Sequence, residues 1–367
     1  MSHSQQAVIC ENNRMHTLRL FVDANDLAAE DSRASLKRAA AILRNGGTVA
    51  LPTETVYGLG ANALDAAAIA KIFAAKERPS WDPLIVHISD TEMLRRVTAS
   101  LPPNATKLMD AFWPGPLTLL LPKSDAVPDA VTAGRPRIGV RMPQHPVAHA
   151  LIREAGVPIA APSANRFGRT SPTTAQHVAE DLDGRIDAIL DSGETTYGLE
   201  STVVDACEEP CIIYRPGVIS LEQIRAAGVD AVMFRESVGT RAKSPESLPS
   251  PGVGLRHYAP KAKLILIDGG GETQIAAFRD AVYQARPNGT MLGLMLADLF
   301  EREVDTNQAI VYRWGKWNNV EELAQRLFAG LRYLDSAGAN VIVCPLPVAE
   351  GIGIAMRDRL LKAAKTE

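Results

Sequence analysis

The chain has 367 residues, a length that favours two domains. Hydrophobic residues make up 46% and charged residues 22%, ordinary values for a globular protein with a sizeable core. The net charge of −3 argues against holding nucleic acid through bulk charge and leaves a local basic pocket as the route to an anionic ligand.

The N-terminal stretch MSHSQQAVICENNRMH lacks a basic segment followed by an apolar one, and reads as a short extension rather than a leader. No run approaches the roughly 18 apolar residues of a membrane span. Cys10, Cys207, Cys211 and Cys344 read as free thiols of a reducing compartment, since the Cys207/Cys211 pair has no second pair to complete a metal set. These features predict a cytoplasmic protein with no membrane partner and no protein-bound metal.

Short apolar runs alternate with helical patterns. Strands are predicted at 48–51, 84–88, 117–121, 138–140, 157–161, 188–190, 202–204 and 212–214, and helices at 32–44, 66–75, 146–154 and 173–182. The alternation predicts an α/β layer structure with its sites at strand ends. Composition changes near residue 240, where RAKSPESLPSPGVG is rich in proline and serine and reads as a linker. A second α/β pattern follows: strands at 264–267, 291–295, 309–312 and 341–344, helices at 272–286, 320–336 and 354–365. Gly269–Gly271 after its first strand lacks the spacing of a dinucleotide loop and reads as a plain turn. The expected domains are 1–220, a linker over 221–260, and 261–367.

Several segments place polar groups at strand ends. Thr53, Glu54 and Thr55 follow a strand that stops at Pro52; they read as a capped turn or, because three polar side chains come together, as ligand contacts. Lys76 and Arg78 end a helix, where the dipole favours cations, but Asp82 and His87 follow within a few residues. Arg137 and Arg141 lie four apart on a strand and share a face, an arrangement suited to clamping a phosphate or carboxylate. The apolar strand at 157–161 runs into Ser163 and Asn165, and Ser171-Pro172 reads as the N-cap and first residue of a helix whose amino end suits an anion. Ser201 opens one strand and Arg215 closes another. Lys76, Arg78, Arg137, Arg141 and Arg215 therefore all sit at or beside strand ends, and a sheet that gathers them makes a strongly positive concavity suited to a triphosphate. There is no G-x-x-x-x-G-K-[ST] loop, no Ser-His-Asp set and no paired metal motif.

The motifs PTETVYGLG, PLIVHI, WPGPLT, VRMP, APSAN, ESTVVD and RPG, in this order, resemble the YrdC-like family. The linker motif SPGVGLRHYAP resembles that of the long, two-domain form, the threonylcarbamoyl-AMP synthases. The resemblance implies a twisted, open α/β sheet with a deep basic cavity and a smaller Rossmann-like domain. It implies a nucleotidyltransferase that makes L-threonylcarbamoyl-AMP and pyrophosphate from L-threonine, bicarbonate or CO2, and ATP, with Mg2+ carried on the ATP. The product would pass to a tRNA threonylcarbamoyl transferase complex, with only a weak contact to tRNA by this chain. The family's K-x-R…S-x-N signature falls on Lys76, Arg78, Ser163 and Asn165, which the resemblance makes catalytic. It places Thr55, His87, Arg141, Ala161 and Ser201 around threonine. ATP would lie along Arg78, Asp82, Arg137, Ser163, Ser171 and Arg215, with Tyr258 closing over it. The competing reading is an RNA-binding module whose basic cavity does no chemistry.

Overall fold

The computed structural model describes residues 16–234, 258–286 and 291–365. The predicted linker stretch 241–254 and Arg256 and His257 of the linker motif lie outside the described residues, as does Cys10.

The first domain is built on an eleven-stranded mixed sheet. Its order is Leu18–Phe21, Ala188–Asp191, Val49–Leu51, Gly58–Asn62, Ile159–Ala160, Ile85–His87, Arg137–Arg141, Leu117–Pro122, Thr202–Asp205, Cys211–Arg215 and Ala231–Met233. The eight strands expected from the sequence all occur. Three more were not foreseen: Leu18–Phe21, Gly58–Asn62 and Ala231–Met233. The last pairs in parallel with Cys211–Arg215 and follows a helix at Leu221–Ala226, so residues 221–233 add to the first domain rather than forming linker. Gly58–Asn62 carries two glycines and reads as a turn by composition. Its glycine at 58 is required by packing, because a Cβ there would stand 3.1 Å from the Cβ of Ala161.

Register sets the geometry of the strand ends. Ile85–His87 and Arg137–Arg141 run parallel with His87 opposite Arg141, and Ile159–Ala160 lies antiparallel on the other side of Ile85–His87. The chain therefore leaves Ile85–His87 and Arg137–Arg141 at the same end, while the segment after Ile159–Ala160 runs past Ile85. The helix Ala66–Lys76 is capped by the Asp65 side chain, which accepts from the Ala67 and Ala68 amides. It ends at Glu77, whose left-handed φ of 55° turns the chain so that Arg78 faces the sheet.

The second domain is a four-stranded parallel sheet in the order Lys263–Ile267, Val341–Pro345, Leu292–Ala297, Ala309–Gly315, flanked by helices Gly271–Gln284, Val320–Ser336 and Ile352–Ala363. Gly269–Gly271 is a strand-to-helix turn, as its spacing suggests. Each domain has its own core: Leu51, Leu59, Ile69, Ile72 and Leu119 in the first, Phe278, Phe300, Trp314 and Phe328 in the second. Burying each such side chain contributes on the order of 1.5–3 kcal/mol. Val56 and Leu199, from loops of the first domain, pack into the second core together with Tyr258, so the two domains meet at the edge of the strand-end cleft. No helix among the described residues is long and apolar enough to cross a membrane.

Leu119 is fully buried at the centre of the large sheet. Leu119→Ala is expected to destabilise the first domain by about 2–5 kcal/mol, measured as a shift of its chemical denaturation midpoint; an unshifted midpoint contradicts this core assignment.

Candidate active site

The strand-end loops enclose a cleft of about 590 Å3, its open mouth included. Thr53, Thr55 and Val56 enter from the loop after Val49–Leu51. Arg78, Pro83, Ile85 and His87 come from the Lys76–Ile88 segment, and Arg141 from the end of its strand. Ala161, Pro162 and Ser163 supply the APSAN turn, Glu200, Ser201 and Arg215 the far wall, and Tyr258 the rim. Of the residues predicted from sequence, the structure brings Thr55, Arg78, His87, Arg141, Ala161, Ser163, Ser201, Arg215 and Tyr258 to one cavity.

Each guanidinium in the cleft is held by protein acceptors. The Arg141 Nε donates to the Gly115 carbonyl at 3.1 Å and Nη1 to the Thr55 hydroxyl at 2.8 Å, while Nη2 pairs with the Glu54 carboxylate at 2.6 Å. Arg78 donates to the carbonyls of Asp82 (3.2 Å) and Pro83 (2.8 Å) and pairs with the Asp82 carboxylate at 3.0 Å. Arg215 donates through Nε and Nη2 to the carbonyl and hydroxyl of Ser201, both at 3.1 Å, and the Ser201 hydroxyl bonds that of Thr118 at 2.8 Å. Among the described residues Arg215 makes no ion pair within 4.0 Å. The expected strongly positive concavity is thus corrected: Glu54, Asp82 and Glu200 stand among the cations, because isolated buried charges are too expensive to desolvate.

The titration behaviour follows. Burial raises the Glu54 carboxyl, but the charge and hydrogen bond of Arg141 hold it below its ordinary value. Burial likewise raises Glu200, and Arg359 with Arg215 and Ser171 brings it below the usual range. Burial and the Arg141 charge push His87 down to about 3 against the pull of Glu54, so its ring is neutral at physiological pH. Its Nδ1 is buried with no hydrogen-bond partner among the described residues. The His87 residue lines the cleft.

Five predicted residues are placed otherwise. Lys76 is buried beneath the cleft, its Nζ donating to the Ser163 carbonyl at 2.6 Å and the Asn165 carbonyl at 2.5 Å; burial, with the Arg78 charge adding, pushes it well below ordinary lysine. It staples the APSAN turn. Asn165 donates to the Arg166 and Arg169 carbonyls and braces the same turn. Asp82 backs Arg78. Ser171 is not a helix cap: its hydroxyl donates to Glu200 at 2.6 Å, and Thr174 caps a helix beginning at Ala175, because the Pro172 carbonyl is still tied to the Tyr57 amide in extended chain. Arg137 shares a strand face with Arg141, but four residues at about 3.3 Å each place it at the opposite end. There it pairs with Asp205 and Glu208, away from the cleft. Sequence reasoning missed Glu200 as a wall residue and Arg359 as its partner. It named Glu54 as a turn residue or a ligand contact and not as the partner of Arg141, a pairing that carried no local signal.

A buried, anion-ready cleft at the strand ends of a mixed sheet, with a second α/β domain at its rim, defines an enzyme of the YrdC type. The family described as Telomere recombination matches residues 41–217, and the family described as Threonylcarbamoyl-AMP synthase, C-terminal domain, matches 219–365. A threonylcarbamoyl-AMP synthase of Bacillus subtilis is 42% identical over 95% of this chain and 98% of its own length. One of Pyrococcus abyssi is 41% identical over 90% and 94%. The crystal structure of P. abyssi Sua5 complexed with L-threonine matches with a TM-score of 0.87 and 40% identity, covering 95% of this chain and 98% of that one. The chain belongs to the threonylcarbamoyl-AMP synthase family in its two-domain form.

Two outcomes follow from the site geometry. Unfolded His87 titrates near about 6.5 and folded His87 near about 3, so the unfolded chain binds more protons between those values and stability is lost as pH falls through that window. His87→Asn should flatten its share of that loss in denaturation series across the same window; an unchanged slope contradicts a neutral buried ring. Arg137→Ala should leave ligand affinity in the cleft within about twofold by calorimetry, since Arg137 does not line it; a tenfold loss would place Arg137 in the site after all.

Proposed function

We propose that the cleft binds L-threonine and ATP side by side and joins them through CO2 to give L-threonylcarbamoyl-AMP and pyrophosphate. The observation that carries the reading is the meeting of three buried guanidinium groups, Arg78, Arg141 and Arg215, with a neutral His87 and the Ser163 and Ser201 hydroxyls in one narrow cavity. Arg141 donates to Gly115 and Thr55 and pairs with Glu54, and its remaining N–H groups are read as meeting the carboxylate of threonine beside Thr55. His87 Nδ1 offers a hydrogen bond to the amino acid's polar groups. The Ala161 amide is taken by the Ile85 carbonyl at 2.9 Å, which leaves its carbonyl for the ligand.

Arg78 and Arg215 flank the nucleotide's phosphates, with the Ser163 hydroxyl between the two substrates. Among the described residues no group of three His, Cys, Asp or Glu is arranged to hold a metal ion. Mg2+ is read as carried on the triphosphate. In the chemistry, the free amine of threonine adds to CO2, forming the C–N bond of an N-carboxylate and releasing a proton. A carboxylate oxygen then attacks the α-phosphorus, forming one P–O bond as the bond to pyrophosphate breaks. The protein's part is to align the two anions and neutralise their charge with groups already fixed in place. The neutral, acid-shifted His87 is a poor proton acceptor, so the amine is read as entering the site already deprotonated or losing its proton to solvent. The consumer of the product is a transferase that carries the threonylcarbamoyl group to an adenosine of tRNA, in the cytoplasm.

An RNA-binding module without chemistry fits less well, because the cleft cations are buried instead of spread on a surface where a backbone could follow them. The assay is pyrophosphate release from ATP. It should require threonine and bicarbonate together and fall to background when either is omitted; release that ignores threonine would overturn the reading.

A further inference from the structure

Two walls of the cleft are held from outside the first domain. Glu200 is 5% exposed and lines the cavity. One of its oxygens accepts from the Ser171 hydroxyl at 2.6 Å, and the other accepts from Nε of Arg359 at 2.8 Å. Arg359 lies on the second domain's helix Ile352–Ala363 and is 1% exposed. Its Nη2 donates to the Pro216 carbonyl at 3.0 Å, directly after Arg215, and its Nη1 to Asp358 at 2.6 Å. Its guanidinium carbon stands 5.2 Å from the centre of the Tyr258 ring, which also stacks on Phe328 at 5.7 Å and 21°.

Most partners of this arginine therefore belong to the cleft, not to its own domain. A buried ion pair is a weak source of net stability, since well-packed apolar groups of like volume serve as well. What such a pair does fix is position. Its planar fork sets the carboxylate plane, the Pro216 carbonyl and the aromatic face in one arrangement. The Glu200 carboxylate in turn lies in the field that Arg215 feels.

We propose that Arg359 is a positioning residue for the reaction: from the second domain it sets the Glu200 carboxylate, the Arg215–Pro216 corner and the Tyr258 ring that form the nucleotide side of the cleft. This rests on the synthase reading above. The second domain is then part of the catalytic apparatus without supplying a group that touches substrate by way of Arg359.

The test uses the full chain with Arg359→Lys, Arg359→Met, and Arg359→Met combined with Glu200→Gln, the last removing both charges of the Arg359–Glu200 pair. Amide hydrogen exchange reads position without turnover. Amides of 199–202 and 215–218 should exchange faster by about tenfold or more, while those of Leu117–Pro122 and Leu292–Ala297 stay as in the unaltered chain. In the pyrophosphate assay the combined variant should keep its melting temperature, lose kcat by about tenfold or more and change KM for threonine little; Arg359→Lys should recover part of kcat. Unchanged exchange at 199–202, equal loss of protection in both sheets, or unaltered kcat in the combined variant would overturn the proposal. If the unaltered chain releases no pyrophosphate, the synthase reading fails, and the exchange data alone decide the positioning role.

Discussion

One guanidinium ties the cleft together. Arg141 is buried at the end of its strand and engages two other segments at once: the carbonyl of Gly115 in the turn before Leu117–Pro122, and the hydroxyl of Thr55 and carboxylate of Glu54 in the loop after Val49–Leu51. A charge in so dry a place is tolerated only when its donors are satisfied and a counter-charge is near. The 53–55 loop and the 113–116 turn therefore have little freedom in where they sit. Arg78, bound to the Asp82 and Pro83 carbonyls, and Arg215, bound to Ser201, impose the same condition on the neighbouring loops. The cleft is the space these constraints leave. Its polarity is fixed before any ligand arrives, which is what electrostatic preorganisation requires.

The second domain extends this network across the domain boundary. Arg332, on helix Val320–Ser336, donates to the Thr170 carbonyl and pairs with Asp181 at 2.7 Å, while Arg359 reaches Glu200. Both arginines act on the stretch that carries Ser171, through its carbonyl neighbours and through its hydroxyl's partner. Tyr258 and the loop residues Val56 and Leu199 complete the contact from the apolar side. The small domain thus holds one wall of a site whose other walls belong to the large one.

Much of this was legible in the chain. Runs such as LIVHI and LTLLLP are too apolar and too short for anything but buried strands, and their prolines and glycines marked where the loops begin. The gathering of Arg78, His87, Arg141, Ser163 and Ser201 followed from strand-end placement. What escaped had no local signature. Gly58–Asn62 is a strand because it pairs with Val49–Leu51 on one side and Ile159–Ala160 on the other, a demand visible only in three dimensions. Ser171 looked like a cap because Ser-Pro opens many helices, but a tertiary bond to Glu200 claimed its hydroxyl. Arg137 and Arg141 share a face, and periodicity does not say that the strand's two ends serve different purposes. Glu200 and Arg359 are 159 residues apart, beyond the reach of any pattern read along the chain. The cavity also looked more positive than it is, since Glu54 and Glu200 lie far along the chain from the arginines they face, and only Asp82 stands close to its partner Arg78.

The account stands on guanidinium groups held rigid by protein acceptors, with their remaining N–H groups turned to two ligand anions. A crystal structure of the chain with L-threonine and a non-hydrolysable ATP analogue tests this most directly. It should show the threonine carboxylate within hydrogen-bond distance of Arg141 and the phosphates against Arg78 and Arg215, with the Glu54 and Asp82 pairs intact. Phosphates seated outside this cleft, or a threonine carboxylate held by other groups, would contradict it.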